Sequence, residues 1–219
     1  MTTCGFRDTF ATKRAVEEKT VYERIIADLL DQQYAVVENF FDPSTVEEIR
    51  EALLFKYEED RFKKAAIGNR TNETIARSIR GDFILWLNEK EAGPSEKKFF
   101  EKVNDMVQYL NRTCFLGIIQ KEFHYAVYPE GTFYKRHLDT FQNDDRRKLS
   151  LVLYLNEQEW KPEYGGALVL YPQKNGAEEE VTLFPYPGRM IIFESQILEH
   201  EVKPVKKPRL SITGWLKTR

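Results

Sequence analysis

Only three histidines occur in 219 residues, and two of them stand where metal chemistry is possible. His137 and Asp139 are separated by one residue in RHLDTF, residues 136–141. If they lie on a β-strand, that spacing puts both side chains on one face. His200 follows 61 residues after Asp139, at the start of another β-rich run. Two imidazoles and one carboxylate can fill one side of a metal's coordination sphere and leave the opposite positions open. A metal that activates oxygen needs such vacancies, for an organic co-substrate and for O2. By itself H-x-D also fits an ordinary surface pair on an edge strand.

Arg209, nine residues past His200, adds a second requirement. In the final β-rich run Arg209, Ser211, Thr213 and Trp215 share a face by the period of two. A guanidinium directed into a β-core is costly unless an anion meets it. Its planar fork matches a carboxylate at two points. The pattern therefore predicts a carboxylate ligand buried close to the metal. The far carboxylate of 2-oxoglutarate suits this place, because the keto-acid end of the same molecule would chelate iron.

These residues must be positioned by the elements around them. Thr20 and Glu23 have the spacing of a capping box, which predicts a helix start there. Tyr22, Ile25, Ile26, Leu29 and Leu30 then recur at helical spacing. YAVVENF (34–40) reads as a strand. Asp42-Pro43 supplies an N-cap and a first-turn proline for a second helix, with Val46, Ile49 and Leu53 on its buried face. A third helix runs from about Ser95, with Phe99, Phe100, Val103, Met106, Val107 and Leu110 turned inward. After about residue 118 the pattern becomes short β-rich runs: KEFHYAVY, KLSLVLYLN, GALVLYP, EVTLF, RMIIFES, HEVKPV and RLSITGWL. Turn signals separate them at Pro129-Glu130-Gly131, Gly165-Gly166, Asn175-Gly176 and Pro187-Gly188. The expectation is one domain, 1–219: helical support over about 1–115 and a mainly β core over about 118–217, built as a sandwich or jelly roll.

Composition narrows the function classes. Hydrophobic residues make up 42% and charged residues 31%, but the net charge is only -2, which argues against nucleic acid as the main partner. Cys4 and Cys114 make neither a disulfide framework nor a zinc motif. The N-terminal stretch lacks the apolar core of a signal peptide, and no run is long enough to span a membrane. A cytoplasmic protein is expected.

Four strings carry a resemblance to a known family: IRGDFILWL (79–87), YPEGTFYKRHLDTF, LYLNEQEWKPEYGGALVLYP and HEVKPVKKPRLSITGW. Together they resemble the Fe(II)/2-oxoglutarate dioxygenases, and among them the prolyl hydroxylases of the hypoxia (HIF) type and their bacterial relatives. They lie within residues 79–215, over half of the chain. The resemblance implies a double-stranded β-helix, with Fe(II) held by His137, Asp139 and His200 and with 2-oxoglutarate and O2 as co-substrates. It implies that Arg209 and the Tyr154 phenol meet the far carboxylate of 2-oxoglutarate, that Tyr128 lines the same pocket, and that Leu168, Thr213 and Trp215 wall it. Asp82 and Arg147 align with a charged pair that holds the loops around the substrate. Ascorbate is a further cofactor candidate. His124 shares strand parity with Tyr128 and reads either as a pocket-edge residue or as a core or surface histidine.

The implied activity is hydroxylation of a prolyl residue in a protein, coupled to conversion of 2-oxoglutarate to succinate and CO2. Bacterial relatives modify a translation elongation factor, which makes elongation factor Tu a candidate partner. The chain shows no zinc-binding N-terminal module, which favours a free-standing microbial enzyme. Two departures concern substrate choice. The YPEGTFY turn is one residue shorter than in the animal enzymes, and the loop at 66–78 differs from theirs. Two alternatives remain: an oxygenase acting on another side chain, a small molecule or a nucleobase, and a non-enzymatic β-core binding module.

Overall fold

The computed structural model describes residues 5–65, 79–140, 146–157, 159–174 and 176–219, with side chains from residue 17 onward. The loop at 66–78, Cys4 and Asn175, read above from sequence, lie outside the described residues.

Three helices stand on one side. Helix α1 spans Gly5–Gln32, α2 spans Pro43–Glu58 and α3 spans Pro94–Cys114. The expected start of α1 at Thr20 is not observed, because the helix continues upstream to Gly5 and Thr20 lies in its interior. No glycine or proline interrupts residues 6–32, so nothing in the backbone stops the helix at the Thr20 signal. The α2 start is as expected: Asp42 accepts from the Thr45 amide at 2.9 Å, and Pro43 occupies the first turn. Glu96 reaches back to the Gly93 amide at 2.8 Å and caps α3.

Among the described residues, thirteen strands follow the β-rich runs and add some that sequence did not reveal. In chain order they are β1 Tyr34–Val37, β2 Lys63–Lys64, β3 Phe83–Leu87, β4 Gln120–Tyr128, β5 Tyr134–His137, β6 Arg147–Tyr154 and β7 Leu168–Leu170. The remainder are β8 Gln173–Lys174, β9 Ala177–Glu178, β10 Val181–Leu183, β11 Met190–Glu194, β12 His200–Val202 and β13 Arg209–Lys217. Seven form the sheet β1-β11-β6-β13-β4-β3-β2, four form the sheet β10-β7-β12-β5, and β8 pairs with β9. The pairings within these sheets are antiparallel. This is the mainly β, jelly-roll arrangement expected from the evenly spaced runs.

Strand alternation divides the interior in two. Phe123, Tyr125 and Val127 of β4, Leu149, Leu151 and Leu153 of β6, and Leu210, Ile212 and Leu216 of β13 pack with the helices. Their neighbours one residue away face the smaller sheet, where Tyr128, Val152, Tyr154 and Phe193 meet Leu168, Leu170 and Val202. Gly214 falls in the helix-facing row for a steric reason. A Cβ there would lie 2.1 Å from the Glu122 carbonyl oxygen and 2.3 Å from the Phe123 ring.

Candidate active site

His137 and His200 are directly opposite each other across the β5–β12 pair. Strand β5 ends at His137, and Asp139 itself lies at a bend just beyond the strand. The ligand atoms of the three side chains lie within 4.8 Å of one another. Asp139 Oδ1 is 3.5 Å from His137 Nε2, and Asp139 Oδ2 is 3.5 Å from His200 Nε2.

Both rings are oriented by their own backbone. His137 Nδ1 lies 2.7 Å from the Lys135 carbonyl oxygen, and His200 Nδ1 lies 3.2 Å from that of Leu198. A carbonyl only accepts, so each Nδ1 carries the hydrogen and each Nε2 keeps its lone pair for a metal. Burial pushes His200 down to about 4, against the opposing pull of Asp139, and keeps the ring neutral at physiological pH. Burial alone would raise the Asp139 carboxyl. The neighbouring imidazoles and the Ser150 hydroxyl outweigh it and hold the group below the usual carboxylate range. A carboxylate between two imidazoles is a donor set suited to a divalent first-row metal.

The triad sits in the wall of a cavity of about 340 Å³ between the sheets. Tyr128, Leu168, Thr213, Trp215 and Arg209 line it. Arg209 is 2% exposed, and its guanidinium carbon lies 5.0 Å from the Tyr128 ring centre and 4.8 Å from that of Tyr154. Gly166, at φ +68°, passes beside the Arg209 stem, where a Cβ would stand 3.2 Å from Arg209 Cδ. Tyr154 is fully buried behind Arg209 and is not itself part of the cavity lining. Burial raises its phenol, and Arg209 partly offsets this. Among the described residues, neither Arg209 Nε nor the Tyr154 hydroxyl has a hydrogen-bond partner. Buried polar atoms are rarely left so. A buried guanidinium with an unpartnered Nε, beside an unpartnered phenol and near a metal-type triad, fits the far carboxylate of a 2-oxo dicarboxylic acid.

The charged pair expected of Asp82 is made with another partner. Arg80 Nε and Nη2 donate to the two Asp82 oxygens at 2.8 and 2.6 Å. Burial opposes the Arg80 charge, but Asp82 outweighs it and holds the guanidinium above its ordinary range. Arg147 donates to the Asp139 backbone carbonyl at 2.9 Å and lies 3.4 Å from the Trp215 ring centre. His124 faces the cavity with Tyr128, as their shared parity implied, between Trp86 and Trp215.

Sequence reading missed several supports. The Ser150 hydroxyl donates to Asp139 Oδ2 at 2.7 Å and lies 2.8 Å from Ser195 Oγ, all buried. Tyr134 stacks on His137 with ring centres 3.6 Å apart, and Arg80 lies 4.4 Å over the other ring, that of Tyr134. By simple alternation Tyr134 and His137 should face opposite ways. The register shifts along β5–β12, so that three steps on β5 match two on β12, and this turns Tyr134 to the histidine's side.

Comparison with known proteins agrees with this geometry. The family described as "2OG-Fe(II) oxygenase superfamily" matches residues 123–217. A Pseudomonas putida prolyl-4-hydroxylase structure is 32% identical, with a TM-score of 0.79 over 90% of this chain and 99% of that one. A Trichoplax adhaerens prolyl hydroxylase, solved with a hypoxia inducible factor peptide, is 28% identical with a TM-score of 0.84, covering 94% and 93%. Human Egl nine homolog 1 is 27% identical over 93% of this chain and 48% of its own length, and the rat protein is 26% identical over 96% and 63%. The chain thus spans about half to 63% of the length of these curated relatives. With Fe(II), 2-oxoglutarate and O2 as the requirements of the matched superfamily, the chain belongs to the 2OG-Fe(II) oxygenases and, within them, to the prolyl hydroxylases.

Proposed function

We propose that this chain hydroxylates a prolyl residue in a protein substrate, coupled to decarboxylation of 2-oxoglutarate to succinate and CO2. The observation that carries the proposal is the buried, unpartnered Arg209 Nε in the same cavity as a His-Asp-His cluster. His137, Asp139 and His200 would hold the ferrous ion. Arg209 and Tyr154 would hold the far carboxylate of 2-oxoglutarate, beside Tyr128, Leu168, Thr213 and Trp215. Asp82, fixed by Arg80, and Arg147, fixed over Trp215, would shape the substrate side.

When bound, iron and 2-oxoglutarate supply the oxidising chemistry: one atom of O2 goes to the proline carbon and the other to succinate. The protein residues do the rest by position. The backbone-tied histidines present fixed lone pairs. Arg209 orients the dicarboxylic acid. Leu168, Val152 and Trp215 keep water from the reacting centre, which protects a strong oxidant from side reactions. The unit proposed is the whole 1–219 chain acting as one domain, in the cytoplasm, with ascorbate as the reductant to test. Elongation factor Tu is the first protein substrate to test.

The test is succinate release by the purified chain with Fe(II), 2-oxoglutarate and proline-containing protein, with mass spectrometry of the acceptor. One added oxygen on proline is expected. Asp139→Ala and His200→Ala should abolish it. Succinate release without an oxidised proline would move the reading to another substrate class.

A further inference from the structure

The chain as a whole is nearly balanced in charge, with 33 basic and 35 acidic residues. The cavity is not. Among the described residues, Arg61, Lys63, Lys64, Arg80, Arg147 and Arg209 line it, against Asp139 as the single lining carboxylate. Three of the six have assignments already: Arg209 is buried in the interior, Arg80 is held by Asp82, and Arg147 lies over Trp215. The other three are exposed and sit together at the end of α2 and on β2. Arg61 has only a loose contact to Glu59, at 3.8 Å with both side chains half exposed, which is weak in water. Lys64 lies over the Phe83 ring at 5.9 Å, and neither lysine of β2 has a carboxylate partner among the described residues.

Among the described residues, β2 is the last strand of the seven-stranded sheet and pairs with β3 alone. Beside it, Trp86 is exposed while Ile84 and Leu85 line the cavity. An extended chain laid along this edge would have a neutral, apolar surface for a proline and three cations for the residues next to it.

Resting on the hydroxylase reading, we infer that the mouth formed by Arg61, Lys63 and Lys64 selects substrates in which acidic residues flank the target proline. Near-surface cations of one sign raise the local concentration of an acidic segment and speed its capture, an effect that salt screens.

The experiment compares two peptides of one length around a single proline, one flanked by Asp and Glu and the other by Asn and Gln. The expected result is a kcat/KM advantage of about tenfold for the acidic peptide at about 0.02 M salt, shrinking toward twofold at about 0.3 M. In Lys63→Glu/Lys64→Glu the preference should invert. In Lys90→Glu/Lys97→Glu, which changes the net charge equally on exposed sites at and before α3, it should persist. If the reversed pair folds poorly, Lys63→Gln/Lys64→Gln should flatten the salt dependence instead. Equal turnover of both peptides by the native chain, or a preference that the lysine variants leave intact, would overturn the inference while sparing the hydroxylase reading. Turnover of neither, without succinate release, would overturn the hydroxylase reading and this inference together.

Discussion

Along β13, Leu210, Ile212 and Leu216 face the helices, while Arg209, Thr213 and Trp215 face the cavity one residue away. The first row is apolar and packed against α2 and α3 residues. The second carries buried polar atoms without partners among the described residues, Arg209 Nε and Trp215 Nε1, and is flanked by two more on the neighbouring strands, the Tyr154 hydroxyl and His124 Nδ1. Each such atom costs about 1–3 kcal/mol when left unsatisfied. One strand thus stabilises the fold on one side and carries uncompensated groups on the other. The helix-side packing, roughly 1.5–3 kcal/mol for each large apolar side chain, is what tolerates them. Stability and chemistry are separated by the two-residue period and not by distance along the chain.

The sharpest attempt to break this division is Arg209→Met. It keeps apolar bulk and removes the anion partner. Affinity for 2-oxoglutarate should fall about 100-fold, on the order of 3 kcal/mol, while the urea midpoint holds or rises. Calorimetric titration and urea unfolding of the same sample test both halves. Leu216→Ala is the converse. It should lose about 3 kcal/mol of stability through the cavity it leaves, with 2-oxoglutarate affinity within about twofold. A comparable loss of affinity would mean that the two rows are not independent.

His124 tests the cavity row by pH. Burial, helped by Arg80, lowers it to about 3 from an ordinary 6.5. The unfolded chain therefore takes up the proton first. Its contribution is present above pH 6.5 and is lost as pH falls toward 3. Going from pH 7 to 5 should cost roughly 2 kcal/mol from this residue, and His124→Phe should remove that part of the slope in urea midpoints. The smallest effect expected is for Ser150→Ala. It leaves all three metal-type ligands and removes a hydrogen bond to Asp139. Iron affinity should drop about tenfold and recover in part with Ser150→Thr, as followed by metal titration. Unaltered affinity would remove Ser150 from the support of the site.

Much of the cavity row was legible because strand parity is a simple rule. Arg209, Thr213 and Trp215 were given one face by counting, whereas the step from Tyr128 left His124 open between the pocket edge and the core or surface. The N-cap at Asp42 was equally readable, because a side-chain oxygen followed by proline is local chemistry. What escaped the reading depended on tertiary structure. The Thr20 signal was overridden by an unbroken run of helix formers upstream. Tyr134 was hidden by the register shift on β5. Ser150 in β6 and Ser195 in the turn after β11 lie 45 residues apart, and nothing in their spacing shows that their hydroxyls meet behind Asp139. Strand β3 was masked by its reading as a sequence motif, and Asp82 was matched to Arg147 when the nearer Arg80 holds it.

Each metal-type histidine is locked to a carbonyl two residues before it in its own chain segment. Ring orientation therefore does not depend on what occupies the space between Nε2 atoms. A pocket rigid before loading can be refilled quickly after an ion is lost, but it has little means of rejecting an unsuitable one by shape. Cobalt, nickel or zinc, which nitrogen donors hold at least as well as ferrous iron, should therefore enter as readily and block turnover. Which ion resides there would then follow cellular supply.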